Sequence, residues 1–382
     1  MKKYRFGVVG LGHRGRDMAS LGACFDCVDF VAACDIKPEN WYEKQKKWGG
    51  GWANALADLY PEVTFYDNYD KMLDEANLDI VLVETGADIH SEFCCKALRK
   101  NINVLSDIPL VANLKEAEEI WKAAQESKAI LSVGANPNEA KFTVVLKDFY
   151  KKGLLGKPYC MEAEYIHWEM PGSHNDKLIT ENGNWRRLLS PIRYCTHSLG
   201  PLLTILDEDL RYVSAFGTRK HGEDYPADDH KLDDMVCAQF RTENNVVVRL
   251  MRNGRCRAKI GHHNYRVFGT QGYIERIERM DNPVIRYNSM NELDIELKEI
   301  GGEFAPPEYA NDPVALEKGH GGMDYALFDH FFKGLEKGIA YIDVKEGLRM
   351  TLPGIYAEES SKRNGEILKI RYPWDEDWTT EL

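Results

Sequence analysis

The sequence predicts an α/β protein of two domains: a doubly wound parallel sheet over residues 1–135, then an α/β domain with a large, mostly antiparallel open sheet over residues 136–382. The chain has 382 residues, enough for two domains of roughly 100–200 residues each. Its first third alternates short apolar runs with helical patterns, which is typical of a parallel sheet covered by helices. Farther along, extended segments follow one another with few helices between them, which favours an antiparallel sheet.

The strands predicted in the first domain are short apolar runs, as expected for strands buried on both faces. The helix that begins after Asn113 carries a cap signature, because the Asn113 side chain can accept a hydrogen bond from the first turn and Glu116 stands three residues on. The predicted strands of this domain span residues 4–9, 29–35, 63–66, 79–85, 103–107 and 130–135.

The pattern changes after a predicted helix at about residues 139–152. Extended segments follow, of which the last is a hairpin through a glycine-containing turn. A later helix at about 344–363 is expected to pack back toward the first domain, and residues 288–313 form the most loop-like region. The predicted strands span 158–168, 211–220, 235–242 and 245–253, and the hairpin spans 266–277. A helix at about 323–336 presents apolar side chains expected to lie in the core, namely Tyr325, Phe328, Phe332 and Leu335.

The composition argues against several classes of protein. There are 49 Lys and Arg residues against 61 Asp and Glu, a formal net charge of −12, and no basic stripe, so no nucleic-acid partner is expected. No apolar run approaches the ~20 residues of a membrane-spanning helix, and the N-terminus lacks a signal-peptide pattern. The nine cysteines include one C-x-x-C, Cys24 and Cys27, without a second pair at zinc-site spacing. We therefore expect a cytoplasmic protein with reduced thiols, no metal and no membrane contact.

A glycine-rich turn directly follows the first predicted strand. In GLGHRG, Gly10, Gly12 and Gly15 stand in the G-x-G-x-x-G register that lets a backbone approach a pyrophosphate at a helix N-terminus. Asp35 closes the next strand, 20 residues after Gly15, where a carboxylate accepts hydrogen bonds from ribose hydroxyls and repels a 2′-phosphate. The pattern predicts NAD as the cofactor in preference to NADP. The alternative is a structural glycine turn with a solvated Asp35.

Beyond this turn the sequence resembles the Gfo/Idh/MocA family, which includes glucose–fructose oxidoreductase and inositol dehydrogenase, along nearly all of its length. The similar stretches are VVGLGHRG, DIVLVETGADIHSEF, KNINVLSDIPLVAN, ILSVGAN and FGTQG. The resemblance implies a Rossmann domain, a second domain whose open sheet often makes oligomer contacts in a homo-oligomer (dimer or tetramer), and a sugar-like substrate. Besides the glycines and Asp35, the cofactor-binding residues that it implies are His13, Arg14, Thr85, His90, Asp107 and Asn136.

Two positions depart from the pattern of the family's dehydrogenases. Their signature lysine contacts the reacting hydroxyl, but SDIPL places Ile108 after Asp107, and isoleucine does not lower the cost of removing a proton. The family's acidic residue four positions before a second-domain histidine is replaced by Arg193. Both departures weaken an interpretation as an ordinary dehydrogenase.

Other stretches are similar to one branch of the family, the NAD-dependent α-N-acetylgalactosaminidases. EYIHW carries Tyr165 and His167, whose side chains share a face because they stand two apart in a predicted strand. RYCTHSLGP carries Tyr194 and His197. The further residues that match the branch are Arg186 of NWRR and His320 and Asp324 of GHGGMD.

The second Tyr–His pair is expected to lie on a single helix. Ser190 and Pro191 suit an N-cap and a first helical position. A helix begun there puts Tyr194 and His197 on one face, three residues apart. Pro201 would then interrupt or kink that helix.

The branch's mechanism implies candidate roles for these residues. NAD⁺ takes hydride from C3 of the sugar, the ketone acidifies the C2 proton, the C1 substituent leaves by elimination, water adds and the hydride returns. His197 is the candidate base at the C3 hydroxyl, since imidazole titrates near about pH 6.5. Tyr165 is the candidate base at C2, which requires neighbours that tune a group whose usual pKa is about 10. Tyr194 and His167 are expected to bind hydroxyls or to serve the departing group.

The remaining matches are candidate substrate contacts. Arg186 is expected to bind substrate oxygens, and His320 is expected to contact the sugar. Asp324 is expected to order the glycine turn that separates it from His320 in the sequence. Each residue also has a structural interpretation, as a buried Tyr or His with satisfied hydrogen bonds or, for Asp324, as an acid favoured at a helix N-terminus.

Three functions are therefore compatible with the sequence. The first is an NAD-dependent enzyme acting on a sugar or glycoside at C3, with cleavage of a glycoside by oxidation and elimination as its special form. The second is a plain NAD-dependent sugar or polyol dehydrogenase with His197 as base. The third is a catalytically silent NAD-binding regulator. The missing lysine fits the first and third, whereas the two Tyr–His pairs favour the first.

Overall fold

The computed structural model describes residues 3–46, 52–167, 189–218, 233–254, 262–279, 282–291, 297–300 and 320–382. Its contacts divide the chain into two compact units, residues 1–135 with 309–348, and residues 136–308 with 349–382. The division drawn from sequence assigned all of 136–382 to the second domain. The contacts instead group residues 309–348 with the first unit.

The helices and strands have the following bounds. The strands are β1 (Tyr4–Val9), β2 (Val28–Cys34), β3 (Gln45–Lys46), β4 (Trp52–Ala53), β5 (Thr64–Tyr66), β6 (Ile80–Val83), β7 (Asn103–Ser106), β8 (Leu131–Val133), β9 (Pro158–Ile166), β10 (Leu210–Gly217), β11 (Met235–Thr242), β12 (Val247–Asn253), β13 (His263–Gly269), β14 (Gly272–Arg279), β15 (Asn282–Ser289), β16 (Lys298–Glu299) and β17 (Leu368–Lys369). The α-helices are α1 (His13–Gly22), α2 (Glu39–Tyr42), α3 (Leu56–Leu59), α4 (Tyr69–Glu75), α5 (His90–Arg99), α6 (Leu114–Glu126), α7 (Lys141–Lys151), α8 (Thr196–Leu203), α9 (Met323–Lys337) and α10 (Val344–Lys362). Turns of 3₁₀ helix lie at Asn136–Glu139, Pro191–Tyr194 and His320–Gly322.

The described part of the first unit contains a six-stranded parallel sheet in the order β5-β2-β1-β6-β7-β8. The chain builds outward from β1 on one side and then from β6 on the other, so the strand order reverses between these two strands. Ligands of open α/β sheets bind at the carboxyl edge next to such a reversal. The predicted doubly wound sheet is confirmed, and each of its six strands lies within two residues of its expected bounds.

The cap predicted for α6 is also confirmed. The Asn113 side chain accepts a hydrogen bond of 3.0 Å from the Glu116 N–H. The Glu116 carboxylate in turn accepts one of 2.7 Å from the Ala112 N–H. This reciprocal pair satisfies backbone donors that a helix start leaves without partners.

Aromatic packing explains why α9 groups with the first unit. Phe328 is fully buried, and its ring lies 6.4 Å from the ring of Phe6 in β1. Phe25 stacks on Tyr325 at 4.8 Å and contacts Phe332 at 5.0 Å. The aromatic face of α9 is therefore core, as its sequence indicated, but it is the core of the parallel-sheet unit.

The described part of the second unit contains a nine-stranded sheet in the order β16-β15-β14-β13-β9-β12-β11-β10-β17. Its neighbours pair antiparallel except β9 and β12, which run parallel. The mostly antiparallel open sheet is thus confirmed, and β13 and β14 form the predicted hairpin. Its β15 and β16 were not predicted, and they place residues 288–289 and 298–299, within the segment expected to be loop, in strands.

In the described part of the chain, no helix combines the length and the apolar character that crossing a membrane requires. The cysteines described there, including Cys24 and Cys27, are free thiols. Among the same residues no group of three or more His, Cys, Asp or Glu side chains is arranged to hold a metal ion.

Candidate functional site

The three glycines after β1 meet different requirements. Gly10 has a φ of +87°, and a side chain there would lie 2.5 Å from the Glu84 carbonyl oxygen. A Cβ on Gly15 would lie 1.9 Å from the Gly10 carbonyl oxygen, so this glycine lets α1 pack closely on the turn. Gly12 differs, because a Cβ there would meet no atom of the described residues within 4 Å. The space in front of Gly12 fits the close approach of a cofactor pyrophosphate to the backbone at the start of α1.

Asp35, the residue after β2, is held beside this turn by three donors. Its Oδ2 accepts a hydrogen bond of 2.6 Å from the Leu11 N–H and one of 3.1 Å from the Asn40 amide. Its Oδ1 accepts one of 2.8 Å from the Lys37 N–H. The carboxylate is therefore oriented at the carboxyl edge of the sheet, where it would accept hydrogen bonds from the ribose of bound NAD.

Arg14, which follows His13 in the first turn of α1, is paired with Asp324 in the first turn of α9. Its Nη1 and Nη2 donate hydrogen bonds of 2.7 and 2.9 Å to the two oxygens of Asp324, and Nδ1 of His320 lies 2.8 Å from Oδ2. Burial alone would lower the pKa of Arg14, but the carboxylates of Asp324 and Asp107 raise it well above its usual value. Burial alone would raise the pKa of Asp324, yet Arg14 and His320 hold it well below its usual value. Asp324 thus orders both Arg14 and the turn that carries His320.

Two carboxyl groups follow the adjacent strands β6 and β7. Glu84 is buried at the end of β6, directly behind the glycine turn. Asp107 follows β7, and its Oδ2 lies 3.9 Å from Nε of Arg14. Burial, and then repulsion by Asp107, raises the pKa of Glu84 well above its usual value. The Glu84 carboxyl therefore favours its neutral form next to the cofactor turn.

His90 organises the loops after β6 and β7. The imidazole is buried, with Nε2 2.8 Å from the Thr85 carbonyl oxygen and Nδ1 2.9 Å from that of Pro109. The imidazole thus connects the loops that follow β6 and β7 at the carboxyl edge of the parallel sheet. The hydroxyl of Thr85 is buried without a hydrogen-bond partner among the described residues, which fits a partner on a bound cofactor. Asn136 is buried just after β8, at the first residue of the second unit.

The two predicted Tyr–His pairs of the second unit meet in one cluster of rings. The centroid of the Tyr165 ring in β9 lies 5.4 Å from that of His167 and 5.5 Å from that of His197. The Tyr194 ring lies 4.9 Å from His197 and 6.2 Å from Tyr165. Tyr165 and His167 are buried, whereas Tyr194 and His197 are partly exposed. Two phenols and two imidazoles, side chains whose chemistry allows proton transfer, thus lie close together in the second unit.

The single helix expected from Ser190 is wrong in its geometry. The 3₁₀ turn Pro191–Tyr194 ends before Cys195, and α8 begins only after it. Ser190 makes no side-chain cap hydrogen bond. Tyr194 and His197 therefore stand on two consecutive short helices, and the change of path at Cys195 brings their rings together.

The first turn of α8 is anchored to the sheet. Tyr265 of β13 donates a hydrogen bond of 2.6 Å to the His197 carbonyl oxygen, and the Phe142 ring stacks on Tyr265 at 5.0 Å. Burial raises the pKa of Tyr265, so its hydroxyl remains a donor. Pro201, expected to interrupt or kink the helix, lies inside α8, which continues to Leu203.

Arg252 and His263 join this cluster, although the sequence analysis did not single them out. The Arg252 guanidinium carbon lies 4.2 Å from the centroid of the Tyr165 ring and 5.9 Å from that of Tyr194. The His263 ring stacks on Tyr165 at 4.3 Å with 13° between the planes. A signal was present for Arg252, because it shares the inward-facing register of β12 with buried aliphatic residues. A charged residue in such a phase is uncommon unless it has a partner.

Arg193, which replaces an acid of the family pattern, forms an ion pair with Glu358 of α10 in the same unit. Its charge is thereby neutralised within the second unit. Arg186, predicted to bind substrate oxygens, lies outside the described residues.

Two family models match this chain. Residues 4–135 match the oxidoreductase family with an NAD-binding Rossmann fold (GFO_IDH_MocA), and residues 143–275 match the GFO/IDH/MocA C-terminal domain. The two matches together cover more than half of the chain.

Similar proteins include members of glycosyl hydrolase family 109. The chain is 21% identical over 404 residues to the glycosyl hydrolase family 109 protein of Shewanella pealeana, and the alignment covers 98% of this chain and 85% of that protein. It is 21% identical over 408 residues to the alpha-N-acetylgalactosaminidase of Shewanella oneidensis, with the same coverage of 98% and 85%.

Solved structures of sugar and polyol dehydrogenases share the fold. Levoglucosan dehydrogenase in complex with NADH and L-sorbose superposes with a TM-score of 0.78 at 15% identity, covering 97% of this chain and 100% of that one. Myo-inositol 2-dehydrogenase from Lactobacillus plantarum does so with a TM-score of 0.70 at 16% identity, with the same coverage. The chain therefore belongs to the Gfo/Idh/MocA family of oxidoreductases, and it is an enzyme whose first unit is an NAD-binding Rossmann domain.

Proposed function

We propose that this enzyme acts on a sugar or glycoside at C3, and that it cleaves a glycoside by oxidation, elimination, hydration and reduction. The observation that carries the proposal is the ring cluster of Tyr165, His167, Tyr194 and His197, in which neighbouring centroids lie 4.9 to 6.2 Å apart. The relatives named as family 109 glycosyl hydrolases and as an alpha-N-acetylgalactosaminidase support it. Ile108, which stands where the family's dehydrogenases carry a lysine, favours it over plain oxidation.

The first proton transfer is assigned to His197. Bound NAD⁺ supplies the acceptor for hydride from C3 and, once reduced, the donor that restores it. An imidazole that titrates near about pH 6.5 is suited to accept the C3 hydroxyl proton as the ketone forms. The hydrogen bond from Tyr265 to the His197 backbone holds this part of α8 in place while the side chain exchanges its proton.

The second proton transfer is assigned to Tyr165. A ketone at C3 acidifies the proton on C2, and the phenol oxygen of Tyr165, in its ionised form, accepts that proton. The electron pair of the C2–H bond forms a C1–C2 double bond as the C1 substituent leaves, and water then adds to C1. The rings of Tyr194 and His167 lie beside Tyr165, and we assign these residues to binding hydroxyls or to protonating the departing oxygen.

Phenols and imidazoles suit this route better than direct hydrolysis. Most glycosidases use two carboxyl groups that flank the glycosidic bond, and NAD-dependent enzymes are an exception. Tyrosine and histidine can accept and donate the protons of O–H and C–H bonds that this route moves. We assign Arg186 and His320 to substrate oxygens, with Asp324 holding the His320 ring.

The proposal is tested by incubating the protein with NAD⁺ and a panel of aryl glycosides in deuterated water, with an aryl α-N-acetylgalactosaminide among them. Release of the aglycone, deuterium at C2 and no net NADH are expected. Net NADH with an intact glycoside would indicate a plain dehydrogenase instead. Binding of NADH without change in any of these signals would indicate a regulator and refute the proposal.

Two variants test the assigned roles. His197→Ala and Tyr165→Phe should each lower kcat by at least about a hundredfold, because a positioned base contributes about 10²–10⁴-fold. NADH affinity, measured by fluorescence, should stay unchanged in both. Tyr159→Phe is the matched control, because Tyr159 is on the same strand but 49% exposed. Full activity in either test variant would remove that residue from the mechanism.

A homo-oligomer and a cytoplasmic location also stay proposals. The resemblance to the family supports the first, with the open sheet of the second unit as the contact surface. Sedimentation of the purified protein tests it, and a monomer at micromolar concentration would contradict it.

A further inference from the structure

One row of side chains crosses three neighbouring strands of the second unit. Tyr165 in β9 is directly opposite Arg252 in β12 and directly opposite His263 in β13. Strands β12 and β13 flank β9, so the Arg252 guanidinium and the His263 imidazole belong to opposite neighbours of the strand that carries Tyr165. The register thus makes a row of cation, phenol and imidazole on one face of the sheet.

Arg252 is held in this row by the backbone. It is 1% exposed, and its Nη1 donates hydrogen bonds to the carbonyl oxygens of Asn253 and, at 3.5 Å, of Tyr165. A guanidinium keeps its charge under all ordinary conditions. With its carbon 4.2 Å from the centroid of the Tyr165 ring, a permanent positive charge lies against that ring.

His263, on the strand opposite that of Arg252, adds no positive charge next to Tyr165. Burial, and then the nearby Arg276, His262 and His167, lower the pKa of His263 well below its usual value. The imidazole therefore packs against Tyr165 as a neutral ring, and at 4.3 Å it keeps water from that face.

Among the described residues, further titratable groups near Tyr165 come from α8, from the 3₁₀ turn Pro191–Tyr194 and from the residue that follows β9. His197 of α8 lies 5.5 Å away, and Tyr194 of the 3₁₀ turn lies 6.2 Å away. His167, which follows β9, lies 5.4 Å away. A permanent cation at 4.2 Å attracts a neutral tyrosine ring through the cation–π interaction, but it attracts an ionised tyrosine more strongly through charge–charge attraction. The cation therefore favours the ionised form.

We propose that Arg252 is a positioning residue that stabilises the ionised form of Tyr165 and so lets Tyr165 act as the base at C2. This inference rests on the proposed function for its chemistry, but not for its electrostatics. In the step concerned, the C2–H bond breaks, its hydrogen forms an O–H bond with the Tyr165 phenolate, and its electron pair enters the C1–C2 double bond. The C1 substituent leaves with the electron pair of its own bond, so the step is balanced without a further reactant.

The test uses the full-length protein labelled with 3-fluorotyrosine and followed by fluorine NMR across pH. The resonance of Tyr165 is assigned by its absence from Tyr165→Phe. We expect the ionisation midpoint of Tyr165 to rise by more than about one pH unit in Arg252→Gln, because a buried charge within about 6 Å shifts such equilibria by that much. Arg252→Lys keeps a positive charge, so its Tyr165 midpoint should lie between those of the wild type and Arg252→Gln. The lysine variant also provides the test if Arg252→Gln does not fold.

The matched control is Arg241→Gln. Arg241 lies over the Tyr212 ring at 4.9 Å on two other strands of the same sheet, so this variant removes an arginine from a tyrosine ring elsewhere. It should leave the Tyr165 midpoint unchanged. An equal midpoint for Tyr165 in the wild type and in both Arg252 variants would refute the proposal, whatever the activity.

Activity separates this inference from the proposed function. In Arg252→Gln the acid limb of kcat/KM for aglycone release should move to higher pH by the same amount as the NMR midpoint, with at least a tenfold loss at pH 7 that is recovered at high pH. A fall in kcat/KM that is equal at every pH would show a merely structural role and overturn the proposal. If the midpoint moves but no form of the protein releases an aglycone, the proposed function fails while the effect of Arg252 on Tyr165 stands.

Discussion

Arg14 and Asp324 lie 310 residues apart in sequence and are joined by two hydrogen bonds of 2.7 and 2.9 Å. Arg14 stands in the first turn of α1, between Gly12 and Gly15, and Asp324 stands in the first turn of α9. Asp324 is 1% exposed, so the pair is an internal tie of the first unit. It links the start of α1 to the turn that carries His320.

Removing one partner of this pair should be costly. We expect Asp324→Asn to lower the free energy of unfolding by about 3 kcal/mol at pH 7, because it leaves a buried guanidinium without its counter-charge. Urea denaturation measures this. Asp329→Asn is the matched control on the same helix, where the surface pair with Lys333 should contribute less than about 1 kcal/mol. A loss for Asp324→Asn no larger than for Asp329→Asn would contradict the assignment.

The same pair has a defined pH dependence. The pKa of Asp324 is held below its usual value, so its contribution to stability is complete above about pH 4 and is lost only as the pH falls through the lower, folded-state pKa. The difference in stability between wild type and Asp324→Asn should therefore be constant from pH 5 to 8 and shrink in stronger acid. A difference that already shrinks between pH 7 and 5 would argue against this pKa direction.

Gly12 and Gly15 should respond to the same substitution in different ways. Gly12→Ala should change the stability by no more than about 1 kcal/mol and weaken NADH binding at least tenfold, because its methyl group meets only the space in which a pyrophosphate approaches. Gly15→Ala should lower the stability by about 3 kcal/mol or more, since its Cβ would lie 1.9 Å from a carbonyl oxygen. NADH fluorescence measures the change in affinity, and urea denaturation measures the change in stability. Unchanged NADH affinity in Gly12→Ala would contradict the cofactor role of this turn.

Asp35 should set the preference for NAD. Asp35→Asn keeps an oxygen that can accept from the Leu11 N–H but removes the charge that repels a 2′-phosphate. The affinity ratio of NADPH to NADH should rise at least tenfold, as measured by titration with each nucleotide. Asp67→Asn changes the same charge after the neighbouring strand β5 and should leave the ratio alone. If both variants behave alike, Asp35 does not contact the ribose.

Glu84 should make the protein less stable as the pH rises. Its pKa is raised above the usual 4.5 by burial and then by Asp107, so the folded state keeps a proton that the unfolded chain releases above about pH 4.5. Stability should therefore fall from about pH 4.5 upward until the folded-state pKa is passed. Glu84→Gln cannot titrate, so its stability relative to wild type should increase between pH 5 and 8. Glu75→Gln, on the exposed side of α4, is the control and should show no such trend.

Local patterns predicted much of the first unit. The glycine turn, Asp35 and the Asn113 cap are each defined by residues within about 20 positions of one another, and each requires a backbone geometry that few residue types allow. The hairpin of β13 and β14 was predictable for the same reason. By contrast, β15 was missed although it pairs with β14, the strand just before it in the sequence, with Arg279 opposite Asn282.

The site in the second unit was predicted in part. Tyr165 and His167 share a strand face, which spacing alone indicates. The approach of Tyr194 to His197 was expected because both were placed on one helix. They instead lie on a 3₁₀ turn and an α-helix that are separated at Cys195. Arg252 and His263 were missed because their relation to Tyr165 depends on which residues of β12 and β13 stand opposite it.

By itself the sequence indicated the six strands of the parallel sheet, the glycine turn followed by Asp35, and the tyrosines and histidines proposed for proton transfer. The tertiary structure alone decided that α9 belongs to the parallel-sheet unit, that Asp324 pairs with Arg14, and that Arg252 lies against Tyr165. The physical reason is the range of the interactions. Turns and caps are local conformational preferences, whereas strand register and buried ion pairs depend on the packing of segments far apart in the chain.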